Sequence, residues 1–115
     1  MATPVTLRST AERDIASAVD FYREVAGANV ARDFVEALSK AFALIERHPE
    51  AGSSRRAEEL RLPGLRSWRV DGFPHSIFYV LRSNGVDVWR VLHHARDLPA
   101  WLPAHIDRRV SHLRS

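Results

Sequence analysis

The sequence has 115 residues, no cysteine, and 17 basic against 14 acidic side chains, which gives a formal net charge of +3. Without cysteine the chain can form neither a disulfide nor a thiolate nucleophile, a composition that suits a reducing cytoplasm. No secretory signal opens the sequence, and no apolar run approaches the roughly 20 residues that span a bilayer. We therefore expect a cytoplasmic protein with no membrane contact, folded as a single domain over residues 1–115.

The basic residues are concentrated in the second half of the chain and are almost all arginine. Of the 17 basic residues, 16 are arginine. Residues 1–60 carry 8 basic and 10 acidic side chains, whereas residues 61–115 carry 9 basic and 4 acidic ones. A GC-rich genome would explain the shortage of lysine but not this asymmetry. The asymmetry indicates an acidic partner, either a polyanion or a protein segment.

The first thirty residues predict a strand followed by a helix. Residues 4–8 read as a short strand, in which Val5 and Leu7 would share one face. Ser9 opens a capping-box pattern with a glutamate three residues later, which is typical of a helix start. Apolar side chains then recur every three or four residues up to Ala26, as expected for an amphipathic helix.

A second helix is predicted after the break at Gly27. Asn29 is predicted to cap this helix, and the His48-Pro49 pair stops it because proline cannot continue a helix. So short a gap makes the two helices an antiparallel hairpin. Residues 50–60 are polar and show no clear periodicity, so we predict an irregular loop there.

Three strands are predicted in the second half of the chain. Leu65–Val70 is the first, and His75–Arg82 is the second, apolar on both faces as a central strand requires. The triplet Ser83-Asn84-Gly85 is typical of a tight hairpin turn. Val86–His94 forms the third strand.

The order of these elements predicts the fold class. Residues 95–103 contain two prolines and should be irregular, and an apolar stripe over residues 104–113 predicts a short C-terminal helix. The order β-α-α-β-β-β predicts an α+β fold, with the helical hairpin packed on one face of a mostly antiparallel four-stranded sheet. We expect the other face of the sheet to carry arginines and to stay open to a protein partner.

Three sequence motifs narrow this common fold to a family. Residues 65–79 read LRSWRVDGFPHSIFY, a basic strand that leads into Phe-Pro-x-x-Ile-x-Tyr. Residues 88–97 read VWRVLHHARD, and residues 48–52 supply His-Pro-x-x-Gly after the second helix. In this order and spacing they resemble the ParE-type toxins of the RelE/ParE superfamily, known from plasmid stabilisation systems, over residues 5 to about 99. Residues 100–115 form a C-terminal extension beyond the resemblance.

The resemblance implies a bacterial toxin that a cognate antitoxin neutralises in a hetero-oligomer. ParE-type members of the superfamily inhibit DNA gyrase, whereas RelE-type members cut messenger RNA on the ribosome and so block translation. The fold alone cannot decide between these functions, and a non-toxic interaction module is a third alternative. No cofactor is implied, and no spacing of the six histidines fits a metal site.

The second half of the chain holds part of the set that RNA cleavage requires, namely a base, an acid and cations for the phosphate charge. The candidates are Arg61, Arg66, Arg69, Arg90, His93, His94, Glu58 and Glu59. Strand alternation places His94 with Arg90, and it places His93 with Trp89 and Val91 on the helix-packed side. We therefore expect His93 to be a hydrogen-bonded core or edge residue. The resemblance implies that RelE-type toxins use basic residues of the sheet together with a tyrosine, or a glutamate and a histidine, near the end of the sheet. Since no tyrosine follows residue 79, the set is incomplete, and we predict gyrase inhibition without catalysis.

A separate set of side chains is predicted to contact the antitoxin or the target. The candidates are Arg61, Arg66, Arg69, Arg90, Arg96 and Trp101. The alternative for the arginines is that they only keep a sheet edge soluble. Trp68 and Trp89 are expected in the core, whereas Trp101 lies between prolines and is the better apolar anchor. A disordered acidic antitoxin segment would suit this basic face, either by strand addition or by helix docking.

Overall fold

The structure, a computed structural model, describes residues 3–97. Its elements are β1 (Val5–Leu7), α1 (Ser9–Ala26), α2 (Ala28–Arg47), α3 (Arg55–Leu60), β2 (Leu65–Arg69), β3 (His75–Arg82) and β4 (Gly85–His93). Apart from α3 they follow the predicted order, and each strand end lies within one residue of its predicted position. The predicted C-terminal helix over 104–113 lies outside the described residues. Within 3–97, no helix has both the length and the hydropathy needed to cross a membrane.

Both long helices begin without the side-chain caps that the sequence predicted. Arg8 is the N-cap of α1 and has extended backbone; its N–H donates to Val88 O at 3.0 Å, so the chain stays in the sheet until Ser9 starts the helix. α2 begins directly after Gly27, whose φ of 94° favours glycine. Since this single residue links the helices, Asn29 already lies inside the first turn of α2. The capping predictions for Ser9 and Asn29 were therefore wrong.

The segment predicted as an irregular loop, residues 50–60, contains the short helix α3. Six residues are fewer than two helical turns, so the hydropathy could show no period there. Ala57 of this helix and the following Leu62 pack against the sheet. That tertiary contact stabilises a helix too short to form alone. Arg61 ends the helix in the left-handed conformation, with a φ of 49°.

The four strands form one mixed sheet in the order β1-β4-β3-β2. β1 pairs parallel with β4, whereas β4 with β3 and β3 with β2 are antiparallel, which confirms the mostly antiparallel arrangement. Residues 83–84 form the tight turn between β3 and β4, and Gly85 follows it. A Cβ on Gly85 would lie 2.6 Å from Pro4 O, so β1 reaches β4 only because position 85 has no side chain.

The helical hairpin packs on one face of the sheet, which we call the first face, and forms the main core there. Its buried side chains include Leu38 and Ile45 of α2 and Ile77, Tyr79 and Val88 of the sheet. At one end of this core, four rings form an aromatic cluster with centroids 4.8 to 5.8 Å apart: Tyr22, Phe34, Phe73 and His75. Removal of this apolar surface from water is the main stabilising contribution.

The opposite face of the sheet, the second face, is not open as predicted. A second apolar cluster lies on it with exposed fractions between 0% and 8%: Leu65, Phe78, Val80 and Leu92. Ala57 of α3, Leu62 and Trp89 pack against this cluster. The prediction was wrong because α3 was not visible in the sequence. The middle of the second face is therefore unavailable to a partner.

A β-bulge in β4 changes which face its side chains occupy. The register between β3 and β4 shifts between Phe78 and Tyr79, so that Trp89 is an extra residue in the ladder. Trp89 therefore packs on the second-face cluster, whereas Val91 remains in the main core. The prediction that Trp89 shares a face with His93 was wrong, because strict alternation assumes an unbroken ladder.

Candidate functional site

The predicted site residues do not lie at one place, and Arg90 is the clearest case. Its guanidinium donates to both carboxylate oxygens of Asp14 on α1, at 2.8 Å and 2.9 Å. The same carboxylate accepts the N–H of Val91 at 3.0 Å, beyond the stretch of β4 that pairs with β1. This bidentate pair joins α1 to the sheet. Arg90 therefore holds the fold together and is not a free cation.

Arg66 is also engaged in structural contacts, and it lies on the first face beside Tyr79 of the main core. Its guanidinium donates to the carbonyl oxygens of Glu50 and Gly52, at 2.8 Å and 3.0 Å. The Tyr79 hydroxyl donates to Pro49 O at 2.7 Å. The two side chains hold the loop after α2 in place, and Arg66 cannot share a site with residues of the second face.

His94 does lie on the second face, where its Nε2 is 2.7 Å from Ser76 Oγ. Burial, and then the positive charge of Arg69, lowers the pKa of His94 below its ordinary value. The imidazole is therefore neutral at pH 7. A neutral imidazole can accept a proton, so His94 keeps the chemistry that a general base requires.

His93 points to the first face and organises the turn after β4. Its ring lies against the buried ring of His75, with centroids 5.0 Å apart. Its Nδ1 accepts the backbone N–H groups of Ala95 and Arg96, both at 3.1 Å, and its own N–H donates to Asp97 Oδ2 at 2.9 Å. His93 is therefore a hydrogen-bonded structural residue, as its predicted place on the helix-packed side indicated.

The remaining candidates are scattered over the surface. Glu59 accepts a 2.7 Å hydrogen bond from an arginine of its own helix, and Glu58 and Arg61 are exposed at the end of α3. The guanidinium of Arg96 stacks over an aromatic ring of α1, 4.2 Å from its centroid. Trp101 lies outside the described residues. Of the described candidates in this group, none lines the same cleft as His94.

A cleft of about 330 Å³ lies on the second face, and we call it the arginine cleft. It is lined by Ser53, Arg55, Arg56, Ser67, Arg69, Ser76, Phe78 and His94. Two backbone hydrogen bonds of 2.9 Å between Ser53 and Ser67 attach the loop before α3 to the outer edge of β2. This attachment brings the two arginines of α3 beside Arg69 of β2.

Within the part of the chain that the structure describes, the arginine cleft is lined by positively charged side chains and by no acidic one. Arg56 forms an ion pair with Glu59, with an N–O distance of 2.7 Å. Arg55 and Arg69 have no carboxylate partner among residues 3–97. The cleft therefore suits an anion. In the same part of the chain, no three His, Asp or Glu side chains lie close enough together to hold a metal ion.

Sequence reasoning found Arg69 and His94 of this cleft but missed Arg55 and Arg56. Both missed residues lie in the segment predicted as a polar loop, and both fall in the half of the chain whose net charge is negative. A local signal could have indicated them. Two adjacent arginines precede Ala57, which is the apolar residue of α3 that packs on the sheet.

Comparison with known proteins decides the family. Residues 5–98, most of the 115-residue chain, match the family model described as the ParE toxin of type II toxin-antitoxin system, parDE. The chain belongs to the ParE toxin family. This confirms the resemblance that the motifs carried, over nearly the same residues, and it makes the protein a member of a family of type II toxins.

A solved structure described as the chromosomal ParDE TA system from P. aeruginosa shares the fold of this ParE-family chain. The two align with a TM-score of 0.68 and 17% sequence identity, over 80% of this chain and 96% of that chain. At this identity the likeness shows the fold alone. No curated protein matches the chain.

The motif residues of this ParE toxin mostly stabilise the fold. Pro49 and Gly52 of the His-Pro-x-x-Gly motif receive the hydrogen bonds of Tyr79 and Arg66, and a Cβ on Gly52 would collide with the Tyr79 hydroxyl. Arg90 of the last motif joins α1 to the sheet. The motifs therefore identify the family through its fold, while Ser53, Arg55 and Arg56, three of the eight residues given for the lining of the arginine cleft, lie outside them.

Proposed function

We propose that this ParE-family toxin inhibits DNA gyrase in the cytoplasm and is neutralised by a cognate antitoxin bound to it. The family match over residues 5–98 carries the proposal. The dispersal of the RelE-type candidates supports it, because Arg66 and Arg90 are engaged in structural hydrogen bonds in different parts of the fold. Among residues 3–97, no carboxylate or second histidine lines the cleft around His94. A toxin without a complete catalytic set acts by binding its target.

Antitoxin binding is supported by apolar surface that the helices leave exposed. Four large apolar side chains are 38% to 63% exposed: Phe21, Val25, Val35 and Leu44. Phe21 and Val25 lie four residues apart on α1, the spacing at which two side chains share one face of a helix, and adjacent exposed apolar side chains are typical of surfaces that a partner covers. Strand addition to β2, one of the two docking modes expected from the sequence, is less favourable, because the backbone of Ser53 already pairs with Ser67 there. We therefore propose that the antitoxin docks a helix on this protein.

A gyrase cleavage assay tests the proposed function. The purified toxin, incubated with gyrase and supercoiled plasmid, should trap cleaved DNA, which appears as linear plasmid after denaturation and protease treatment. Prior addition of equimolar cognate antitoxin should abolish the linear band. The matched control contains toxin and plasmid without gyrase and should leave the plasmid supercoiled. A folded toxin that traps no DNA would contradict the proposal.

The arginine cleft favours a second candidate function, cleavage of ribosome-bound messenger RNA. His94 could deprotonate a 2′-hydroxyl, and Arg69 could stabilise the charge of the phosphate. A reconstituted translation reaction tests this candidate: message cut by the wild type but not by His94→Gln would support it, and intact message would exclude it. A protein that is inactive in both assays, and harmless without antitoxin, is a non-toxic interaction module.

A further inference from the structure

We propose that the arginine cleft binds a phosphodiester group of a nucleic-acid backbone, and that in the gyrase complex this group belongs to the DNA that gyrase holds. The first part stands on the cleft alone, and the second part rests on the proposed function. Three guanidinium groups, one imidazole and three serine side chains surround about 330 Å³. That volume lies at the lower end of the range for small-ligand sites and suits a backbone segment rather than a folded domain.

Within residues 3–97, two of the three guanidinium groups in the arginine cleft remain available to a ligand. Arg55 and Arg69 are exposed and have no carboxylate partner among residues 3–97. Arginines that stabilise the fold differ in this respect: Arg8 and Arg82 share the carboxylate of Asp87, each at 2.9 Å. A guanidinium without a partner can direct two parallel N–H groups at phosphate oxygens, the geometry in which arginine binds them best.

The other polar groups of the cleft are also suited to phosphate oxygens. Ser76 is 7% exposed, and its hydroxyl lies 2.7 Å from His94 Nε2, so the pair forms a fixed polar floor. Hydroxyl and imidazole groups can both donate hydrogen bonds to an anion. The described residues of the lining include no carboxylate that would repel a phosphate. The positive charges of Arg69 and Arg56 are felt at the Ser76–His94 pair, because after burial both charges help to lower the pKa of His94.

A nucleic-acid backbone fits the cleft better than an acidic peptide does. Phe78, the apolar side chain of the described lining, is 1% exposed, so it offers a peptide almost no surface as an apolar anchor. Peptide and protein partners obtain most of their affinity from buried apolar anchors, whereas backbone phosphates bind chiefly through charge. The backbone pairing of Ser53 with Ser67 also closes the neighbouring edge of β2 to an added strand.

Binding of labelled oligonucleotides, measured by fluorescence anisotropy over a series of salt concentrations, tests the proposal on the full chain. The probes are a short duplex DNA and a single-stranded RNA of matching sequence. The double variant Arg55→Ala/Arg69→Ala should bind at least about tenfold more weakly, with a salt dependence shallower by about one to two phosphate contacts. The matched control Arg13→Ala/Arg32→Ala removes the same charge from exposed positions on the helices and should bind nearly as the wild type does.

The possible outcomes separate the cleft from the gyrase function. Equal weakening by both double variants, or competition by polyglutamate as strong as that by DNA, would overturn the proposal. If the toxin bound RNA at least as tightly as duplex DNA, the assignment of the phosphodiester to the DNA held by gyrase would be overturned. The same assignment would be overturned if the cleft variant lost DNA binding but still trapped cleaved DNA in the gyrase assay. The wild-type toxin could bind DNA through the cleft and yet trap no cleaved DNA in the gyrase assay. That result would support phosphodiester binding by the cleft and would contradict the proposed function.

Discussion

The carboxylate of Asp14 binds Arg90 in a bidentate ion pair with N–O distances of 2.8 Å and 2.9 Å. Of these side chains, only 14% of Asp14 and 31% of Arg90 is exposed. The same carboxylate accepts the N–H of Val91 at 3.0 Å, and Thr10 on the same helix donates to Trp89 O at 2.9 Å. Because β1 is too short to pair with this part of β4, side chains of α1 form hydrogen bonds with the backbone groups of β4 that β1 does not reach.

Removal of the Asp14 carboxylate should destabilise the fold. Asp14→Ala leaves the charge of Arg90 unpaired and the N–H of Val91 without an acceptor, at an expected cost of about 2 kcal/mol in the free energy of unfolding. Asp14→Asn keeps an acceptor and should cost less. The matched control is Asp20→Ala on the same helix, which removes an exposed ion pair with Arg23 and should cost under about 0.5 kcal/mol. Urea unfolding measures all three, and equal losses for the two alanine variants would show that Asp14 has no special role.

Gly52 and Tyr79 should be energetically coupled. A Cβ at position 52 would collide with the Tyr79 hydroxyl and lie 2.9 Å from Tyr79 Cζ, so Gly52→Ala is expected to cost about 2 kcal/mol. Tyr79→Phe loses the hydrogen bond to Pro49 O, at about 1 kcal/mol. The double variant should cost less than the two single costs together, because loss of the hydroxyl makes room for the methyl group. A double-mutant cycle by urea unfolding checks this, and strictly additive costs would argue against the contact.

The strands of the second half were predictable because their signals are local. His75–Arg82 is apolar on both faces and is indeed the central strand β3, with β4 and β2 on either side. α3 and the bulge at Trp89 could not be predicted in the same way. Each depends on contacts with residues distant in sequence. The helix forms because it packs on the second-face cluster, and the bulge forms where β4 pairs with Phe78 and Tyr79.

The candidate site was predictable only in part, because the partner of an arginine is set by the tertiary fold. The charge asymmetry indicated a basic surface, but it could not show that Arg90 is neutralised by Asp14 or that Arg66 binds backbone carbonyls. Arg55 lies in an acidic half of the sequence. It becomes a site residue only because the backbone of Ser53 attaches its loop to β2.

Gly85 should tolerate a side chain less well than Gly27. Both glycines have positive φ, 144° and 94°, so alanine is strained at either position by about 1 kcal/mol. At Gly27 an added Cβ meets nothing within 4 Å, whereas at Gly85 it would lie 2.6 Å from Pro4 O. Gly85→Ala should therefore cost about 2 kcal/mol more than Gly27→Ala, because β1 must move away from β4. Thermal and urea unfolding of the two variants measure the difference, and similar stabilities would contradict the close approach of β1.

His75 should make the fold less stable in mild acid. The ring is 1% exposed, and neither ring nitrogen has a hydrogen-bond partner within residues 3–97. Burial, and then the neighbouring charge of His93, lowers its pKa from 6.5 to about 4, although Asp97 acts in the opposite direction. Below pH 6.5 the unfolded chain therefore binds a proton that the folded chain does not. Stability is lost as the pH falls from 6.5 towards 4, by about 3 kcal/mol in total from this residue.

His75→Phe should remove this acid sensitivity, since phenylalanine keeps a ring among Tyr22 and Phe34 and cannot be protonated. The variant should be more stable than the wild type by about 1 kcal/mol at pH 7.5, because a buried polar group without partners is lost. The advantage should grow as the pH is lowered to 4.5. The charged groups that face His75, namely His93, His94, Arg96 and Asp97, are the same in both proteins, so the comparison isolates the ring at position 75. Urea unfolding at a series of pH values measures that difference, and an advantage that stays constant between pH 7.5 and pH 4.5 would show that His75 is not the group that destabilises the acid form.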